Sequence, residues 1–236
     1  MKPRKAAIAD LVLANRILYQ QGVLDAYGHV SVRDPENPQR FFLARHMAPG
    51  IVTADDIQTL DLDGNVLGGD KRKPYTELFI HAAVFAAKPE VNGVVHTHSH
   101  SLIPFGATQT TLRPIWAPAA FLDEGAAHFD TRDGFGDTDL MIRNMPLGRA
   151  LVEAIGERPV VLMRGHGGTV VGASVREAVF RSIYLEANAK IMLQSRLLGG
   201  EPIFMSHGES ERSVAHLRAD PSYRRAWEFW SSLVAD

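Results

Sequence analysis

The residues of this chain best suited to chemistry sit at the end of an apolar run. Val94 and Val95 lead into His96, Thr97, His98, Ser99 and His100. The stretch 91–97 reads as a strand, and alternation of side chains then puts His96 and His98 on one face, where two imidazoles can share a metal ion. Neutral imidazole suits Zn, Mn, Fe, Co or Ni. His100 has the same parity, but Pro104 breaks the strand near there, so it ranks below the pair. His166 stands between Gly165 and Gly167, and glycines let a backbone approach a ligand closely. It is the candidate third ligand, with a turn histidine of no chemical role as an equal alternative. Three neutral ligands leave open positions on an ion, which is the mark of a catalytic site.

Glu77 opens the helical pattern that leads back to the histidine strand. From spacing alone it reads first as an ordinary first-turn carboxylate favoured by the helix dipole, and second as a fourth ligand or general base. His81, four residues on, lies within Phe79-Ile80-His81-Ala82-Ala83 and reads as a packed histidine more readily than as a ligand.

The elements that must position these residues follow from periodicity. Residues 5–21 read as an amphipathic helix ended at Gly22. Short strands are expected at 29–32 and 41–43 across the turn 34–38, and another at 58–62 before the tight turn at 63–65. Thr53 followed by Asp55 and Asp56 resembles a helix N-cap. Helices are expected at 77–87, 146–155 and 175–198, and strands at 160–163 and 169–171. Residues 101–105 read as a short helix or turn, 112–121 as a strand plus irregular loop, and 123–136 as loop. From Pro202 the tail reads as a basic, aromatic helix with Tyr223, Trp227, Phe229 and Trp230. Irregular alternation of strands and helices predicts an α/β domain with a mixed or mainly antiparallel sheet.

Composition narrows the class. The 236 residues make one sizeable core, so a single domain over 1–236 is expected. There is no cysteine, which removes disulfides and thiolate metal sites and leaves histidines and carboxylates as ligands. A formal charge of −2 gives no sign of a nucleic-acid or membrane surface. No apolar run approaches a membrane span and no signal-peptide pattern is read, so a cytoplasmic enzyme is expected.

Four blocks in order carry a resemblance: Gly28-His29-Val30-Ser31-Val32-Arg33, Tyr75-Thr76-Glu77-Leu78-Phe79-Ile80-His81, Val95-His96-Thr97-His98-Ser99 and Gly165-His166-Gly167. Together the chain resembles the class II aldolase and adducin-head family over nearly its whole length. The resemblance implies a three-layer α/β/α fold around a mainly antiparallel sheet, and a homotetramer with active sites between subunits. It also implies a divalent metal, Zn or Mn, held by His96, His98 and His166, with Glu77 as the catalytic acid/base. Retention of these four residues favours an enzyme over a non-catalytic interaction domain of the adducin type.

Departures from the sugar-phosphate aldolases steer the substrate expectation. His29 replaces an asparagine, Arg45 and His46 fall in the loop corresponding to a Thr-Pro-Ser-Gly-like segment, and Tyr75-Thr76 replaces a serine pair. Small groups that wrap a phosphate give way to Arg, suited to a carboxylate, and to rings that can stack on a planar substrate. This pattern resembles the decarboxylase branch of the family. The expected activity is metal-dependent decarboxylation of a hydroxylated aromatic or pyridine carboxylate, with His29, Arg45, His46 and Tyr75 on the substrate and Glu77 donating the proton. Aldol cleavage of a hydroxy-ketone or sugar phosphate is the alternative. His207 and Arg212 in the tail are candidates to reach a neighbouring subunit's site, Arg212 as a further substrate contact.

Overall fold

The computed structural model describes residues 2–108, 110–219 and 222–235 of the chain. Seven strands form one sheet: β1 (His29–Arg33), β2 (Arg40–Ala44), β3 (Ile57–Asp61), β4 (Gly93–Thr97), β5 (Ala127–Phe129), β6 (Val160–Met163) and β7 (Gly167–Gly172). Their spatial order is β3-β2-β1-β4-β7-β6-β5, and every pairing is antiparallel except β5 with β6. The helices among the described residues are α1 (Pro3–Gln20), α2 (Leu78–Ala87), α3 (Ile103–Gly106), α4 (Arg132–Phe135), α5 (Met145–Ile155), α6 (Val175–Leu197), α7 (His207–Ala219) and α8 (Ser222–Ser232).

Strand alternation sorts the core into two layers. Val30, Val32, Phe42, Val95, Leu162 and Val170 point to one face, where Leu11 and Leu18 of α1, Val179 and Met192 of α6, and Trp227 and Trp230 of α8 cover them. Phe41, Leu43, Val94, Val161 and Val171 point to the other, under Ile80 and Phe85 of α2 and Leu147 and Leu151 of α5. Sheet between two helical layers is the expected α/β/α architecture. Parity also fixes where polar strand residues fall. His96 shares a face with Val94, and His29 and Ser31 lie opposite in parity to Val30, so all three project into the α2 layer.

Several local expectations are corrected. Residues 112–116 form no strand. A 3-10 segment, Ala117–Leu122, follows them, and Pro114 and Pro118 lack the N–H groups a ladder needs. The expected loop 123–136 contains β5, three residues long and hidden by its Gly- and Asp-rich surroundings, and the short α4, kinked at Asp133 and Gly134. The tail is two helices rather than one. Helix α2 starts at Leu78, which leaves Glu77 at its N-cap with φ −94° and ψ 24°.

Candidate metal centre

The site forms where three elements end on the α2 side of the sheet. His96 is the fourth residue of β4, opposite His29 on one neighbour and Thr169 on the other, so its backbone is pinned from both sides. His98 follows one residue past the strand end. His166 stands in the loop between Met163 and Gly167, the hairpin joining β6 to β7. Two glycines make that hairpin possible. Gly165 has φ +64°, the left-handed region that favours glycine. A Cβ on Gly167 would lie 2.0 Å from the Thr97 carbonyl oxygen and 3.0 Å from the His98 Cα. Only glycine lets this loop come close enough to bring His166 to His98.

The imidazoles meet through one nitrogen each. His98 Nε2 is 3.0 Å from His96 Nε2 and 3.0 Å from His166 Nε2. Glu77 Oε2 lies 3.5 Å from His96 Nε2 and 3.3 Å from His166 Nε2. One ligand atom from each of the four residues falls within 4.8 Å of all the others. His166 Nδ1–H donates to the Leu140 carbonyl at 2.8 Å, which fixes the tautomer in which Nε2 keeps its lone pair when the ring is neutral. Thr169 Oγ1 stands 3.4 Å from His96 Nδ1. Glu77 Oε1 accepts the Ile142 N–H at 2.9 Å, so its second oxygen is aimed at the histidines.

These residues fit a divalent cation. Ligand bonds of about 2.0–2.1 Å put neighbouring nitrogens on one ion about 2.9–3.4 Å apart, for angles from square to tetrahedral. The observed 3.0 Å lies in that interval. Neutral imidazole lone pairs facing each other at this distance repel unless a positive charge lies between them. Burial favours the neutral, ligating form: it is the main cause that pushes His98 down to about 4 and holds the fully buried His96 below its usual value. Burial also opposes ionisation of Glu77, but the pull of His96 and the hydrogen bonds with His166 and His96 outweigh it, and the carboxyl stays well below the usual carboxylate range.

The residues expected to meet substrate divide into two groups. A file of rings runs outward from the cluster: His29 is 5.0 Å from His96, Tyr75 is 4.6 Å from His29, and His46 is 5.8 Å from Tyr75, all between centroids. The backbone pairing of Arg45 and His46 with Pro74 and Lys73 brings these last two rings together. Tyr75 donates its hydroxyl to the Met47 carbonyl at 2.5 Å, and burial pushes its pKa up to about 12. His29 is itself buried, with Nδ1 2.7 Å from His81 Nε2, while His81 Nδ1 is 2.6 Å from Ser31 Oγ. His29 therefore backs the site, and His81 is neither a ligand nor an idle packed ring.

Arg45 and Arg212 stand away from the histidine cluster, Arg45 held by an ion pair and Arg212 exposed as a contact with a neighbouring subunit requires. The Arg45 Nε already donates to Asp56 Oδ1 at 2.8 Å, on the 3-10 turn Ala54–Asp56 capped by Thr53. Arg212 is exposed on α7, a helix packed against the 117–122 segment. His207 on the same helix contacts Asp123 at 2.8 Å. His100 is exposed on the turn after His98 and is not in the cluster. Leu140 and Ile142 contribute only backbone groups, so no residue type marked them. Their one local signal is the φ of +67° at Leu140, unusual for a branched side chain and visible only in three dimensions.

A family model, the Class II Aldolase and Adducin N-terminal domain, matches residues 9–193. The chain belongs to the class II aldolase and adducin family. Among curated members it is 34% identical to decarboxylase tropJ of Talaromyces stipitatus, over 97% of this chain and 94% of that protein. It is 32% identical to a 3,4-dihydroxyphthalate decarboxylase of Arthrobacter keyseri, over 80% of this chain and 79% of that one. An aldolase II superfamily protein from Pseudomonas syringae has the same fold, with a TM-score of 0.82 at 22% identity, covering 99% of this chain and 94% of the other. As a class II aldolase family member the chain carries its Glu77–His96–His98–His166 cluster inside the matched region. No helix among the described residues is long and apolar enough to cross a membrane.

Proposed function

We propose that this family member is a divalent-metal-dependent carboxy-lyase that removes carbon dioxide from a hydroxylated aromatic carboxylate. The observation that carries the reading is the convergence of three Nε2 atoms and the Glu77 carboxylate at one point, with a wall of rings beside it. Relatives named as decarboxylases support the reaction class, and the chain is a lyase.

His96, His98 and His166 would hold the metal. Bound there, it supplies a Lewis acid for the electron pair left on the ring when the carbon–carbon bond breaks. Glu77 is assigned the proton step. Its Oε1 is anchored on the Ile142 N–H, and Oε2, ionised in the free site, first takes a proton from the substrate hydroxyl or from water and then passes it to the ring carbon. Carbon dioxide leaves with neither bonding electron, and the proton balances the charge. His46, the exposed ring of the file, offers a flat face for a planar substrate, and the buried Tyr75 and His29 back it. The cluster suits an aldolase equally well. What favours the carboxy-lyase is that bulky rings stand where a phosphate would need small donors.

Arg45 was expected to grip a second carboxylate. Its pairing with Asp56 means that it could do so only by sharing or exchanging that partner. The resemblance also implies a homotetramer in which a neighbour's tail closes the site, and an exposed Arg212 on α7 suits a contact with another copy better than one within its own chain. Light scattering of the purified protein tests the assembly.

Metal-loaded protein incubated with hydroxylated phthalates and benzoates, and separately with sugar phosphates, tests the reaction. Carbon dioxide from the aromatic acids, with the sugar phosphates intact, is the expected result. Cleavage of a sugar phosphate without decarboxylation of any aromatic acid would replace this reading with the aldolase.

A further inference from the structure

Glu186, on the long helix α6, lies among groups that the proposed chemistry does not use. It is 5% exposed and sits where α6 packs on β4 and β7. Its Oε2 accepts the Ser99 hydroxyl, its Oε1 accepts the Ser101 hydroxyl at 2.8 Å, and Lys190 Nζ, one turn along, is 3.0 Å from Oε1. The two serines lie one and three residues past His98, on either side of His100.

The three histidines differ in what fixes them. His96 is inside a strand paired on both sides. His166 is set by a tight hairpin and by its bond to Leu140. His98 is beyond the last residue of β4, so the segment 98–102 must position it. Within that segment the Ser99 N–H donates to Thr97 Oγ1 at 3.0 Å and the Leu102 N–H donates to the Ser99 carbonyl at 3.1 Å. A cavity of about 200 Å³ lies alongside, lined by residues that include Leu24, Asp25, His98, Ser101 and Glu186. The cavity leaves His98 without packing on that side. The Thr97 hydroxyl, which donates to the Val23 carbonyl, and the buried Leu102 hold the two ends of the segment, and the polar clamp from α6 ties down its middle.

We infer that Glu186 is a positioning residue for His98, acting through Ser99 and Ser101 to hold that imidazole at the point where the other two converge. The inference rests on the metal reading of the cluster. A carboxylate with two acceptor oxygens can hold two hydroxyls at once, which an aliphatic side chain of the same length cannot. Groups of this kind behind a ligand typically change metal affinity by about 10–100-fold.

The test is Co²⁺ titration of metal-free protein, read by visible absorption and by chelator competition. Glu186→Ala is expected to weaken Co²⁺ binding by about 10–100-fold, and Glu186→Gln, which can accept one hydroxyl and donate to the other, to recover most of the loss. In a His98→Ala background, Glu186→Ala should weaken binding no further, because the ligand through which it acts is gone. A purely structural role would weaken both backgrounds alike and so overturn the inference. Should Glu186→Ala fail to fold, the Ser99→Ala/Ser101→Ala double variant removes the same clamp from the other side. Co²⁺ affinity within twofold of the original in whichever variant folds would also overturn it. If the unmodified protein binds no divalent ion, the metal reading itself fails. If it binds and the variants match it, only the role of Glu186 fails.

Discussion

Gly167→Ala should damage both the fold and the metal site, and the size of the effect can be worked from the backbone. The new Cβ would stand 2.0 Å from the Thr97 carbonyl oxygen, an atom with no rotamer to move it aside. Relief requires β4 and β7 to part by about 1 Å at their ligand end, where Thr97 pairs with Gly168. Overpacking of this kind costs about 1–3 kcal/mol, and each ladder hydrogen bond lost adds about 1 kcal/mol, so a loss near 3 kcal/mol is expected in urea unfolding of the metal-free protein. The same shift separates His98 from His166, whose nitrogens stand 3.0 Å apart, and metal affinity should fall at least about tenfold. Gly165→Ala is the control. Its cost is the left-handed backbone, about 1 kcal/mol, since the nearest atom to its added Cβ is the movable Leu140 Cδ1 at 3.3 Å. If Gly167→Ala proves no less stable than Gly165→Ala, or loses stability while binding metal as before, the argument that close approach of this loop builds the site is wrong.

Glu77→Gln keeps the side chain's shape and its contact with Ile142 but removes the proton carrier. Turnover should drop by about 10²–10⁴-fold, while equilibrium binding of an aromatic acid, followed by fluorescence quenching, changes little. Arg45→Ala should cost under about 1 kcal/mol of stability because its ion pair is half-exposed. A rise of tenfold or more in KM for dicarboxylates alone would show that Arg45 leaves Asp56 to grip substrate, and an unchanged KM would show that it does not. His81 is pushed down to about 3 by burial, then by the nearby His96, and so stays neutral in the folded protein. An unfolded histidine takes up its proton near pH 6.5, so the stabilisation is complete above that pH and is lost as the pH falls towards 3, by up to about 1.4 kcal/mol per unit. Melting temperatures of metal-free protein from pH 7.5 to 5 should fall less steeply in His81→Asn than in the unmodified chain.

The amino-acid sequence by itself determined the strand that carries His96 and runs into His98, and the helices at both faces, because these rest on local rules, whereas His166 and Glu77 joined the pair only through the resemblance to the family. Alternation through Val94, Val95 and His96 assigns a face without reference to any other segment, and glycines around His166 mark a backbone that must come close to something. Where 112–116 and 127–129 lie relative to the sheet was not legible. Prolines removed ladder donors from an apolar stretch, while β5 pairs at all only because β6 lies beside it. The tertiary structure alone decided which side chains share a partner. Arg45 was taken by Asp56, 11 residues away, and His29 by His81, 52 residues away. It also supplied the pieces with no residue-type signature, the backbone groups of Leu140 and Ile142 and the clamp from Glu186, 87 residues from Ser99. Local spacing can aim an imidazole. Holding three imidazoles and a carboxylate at one point takes contacts between segments far apart in the chain, and no local pattern records those.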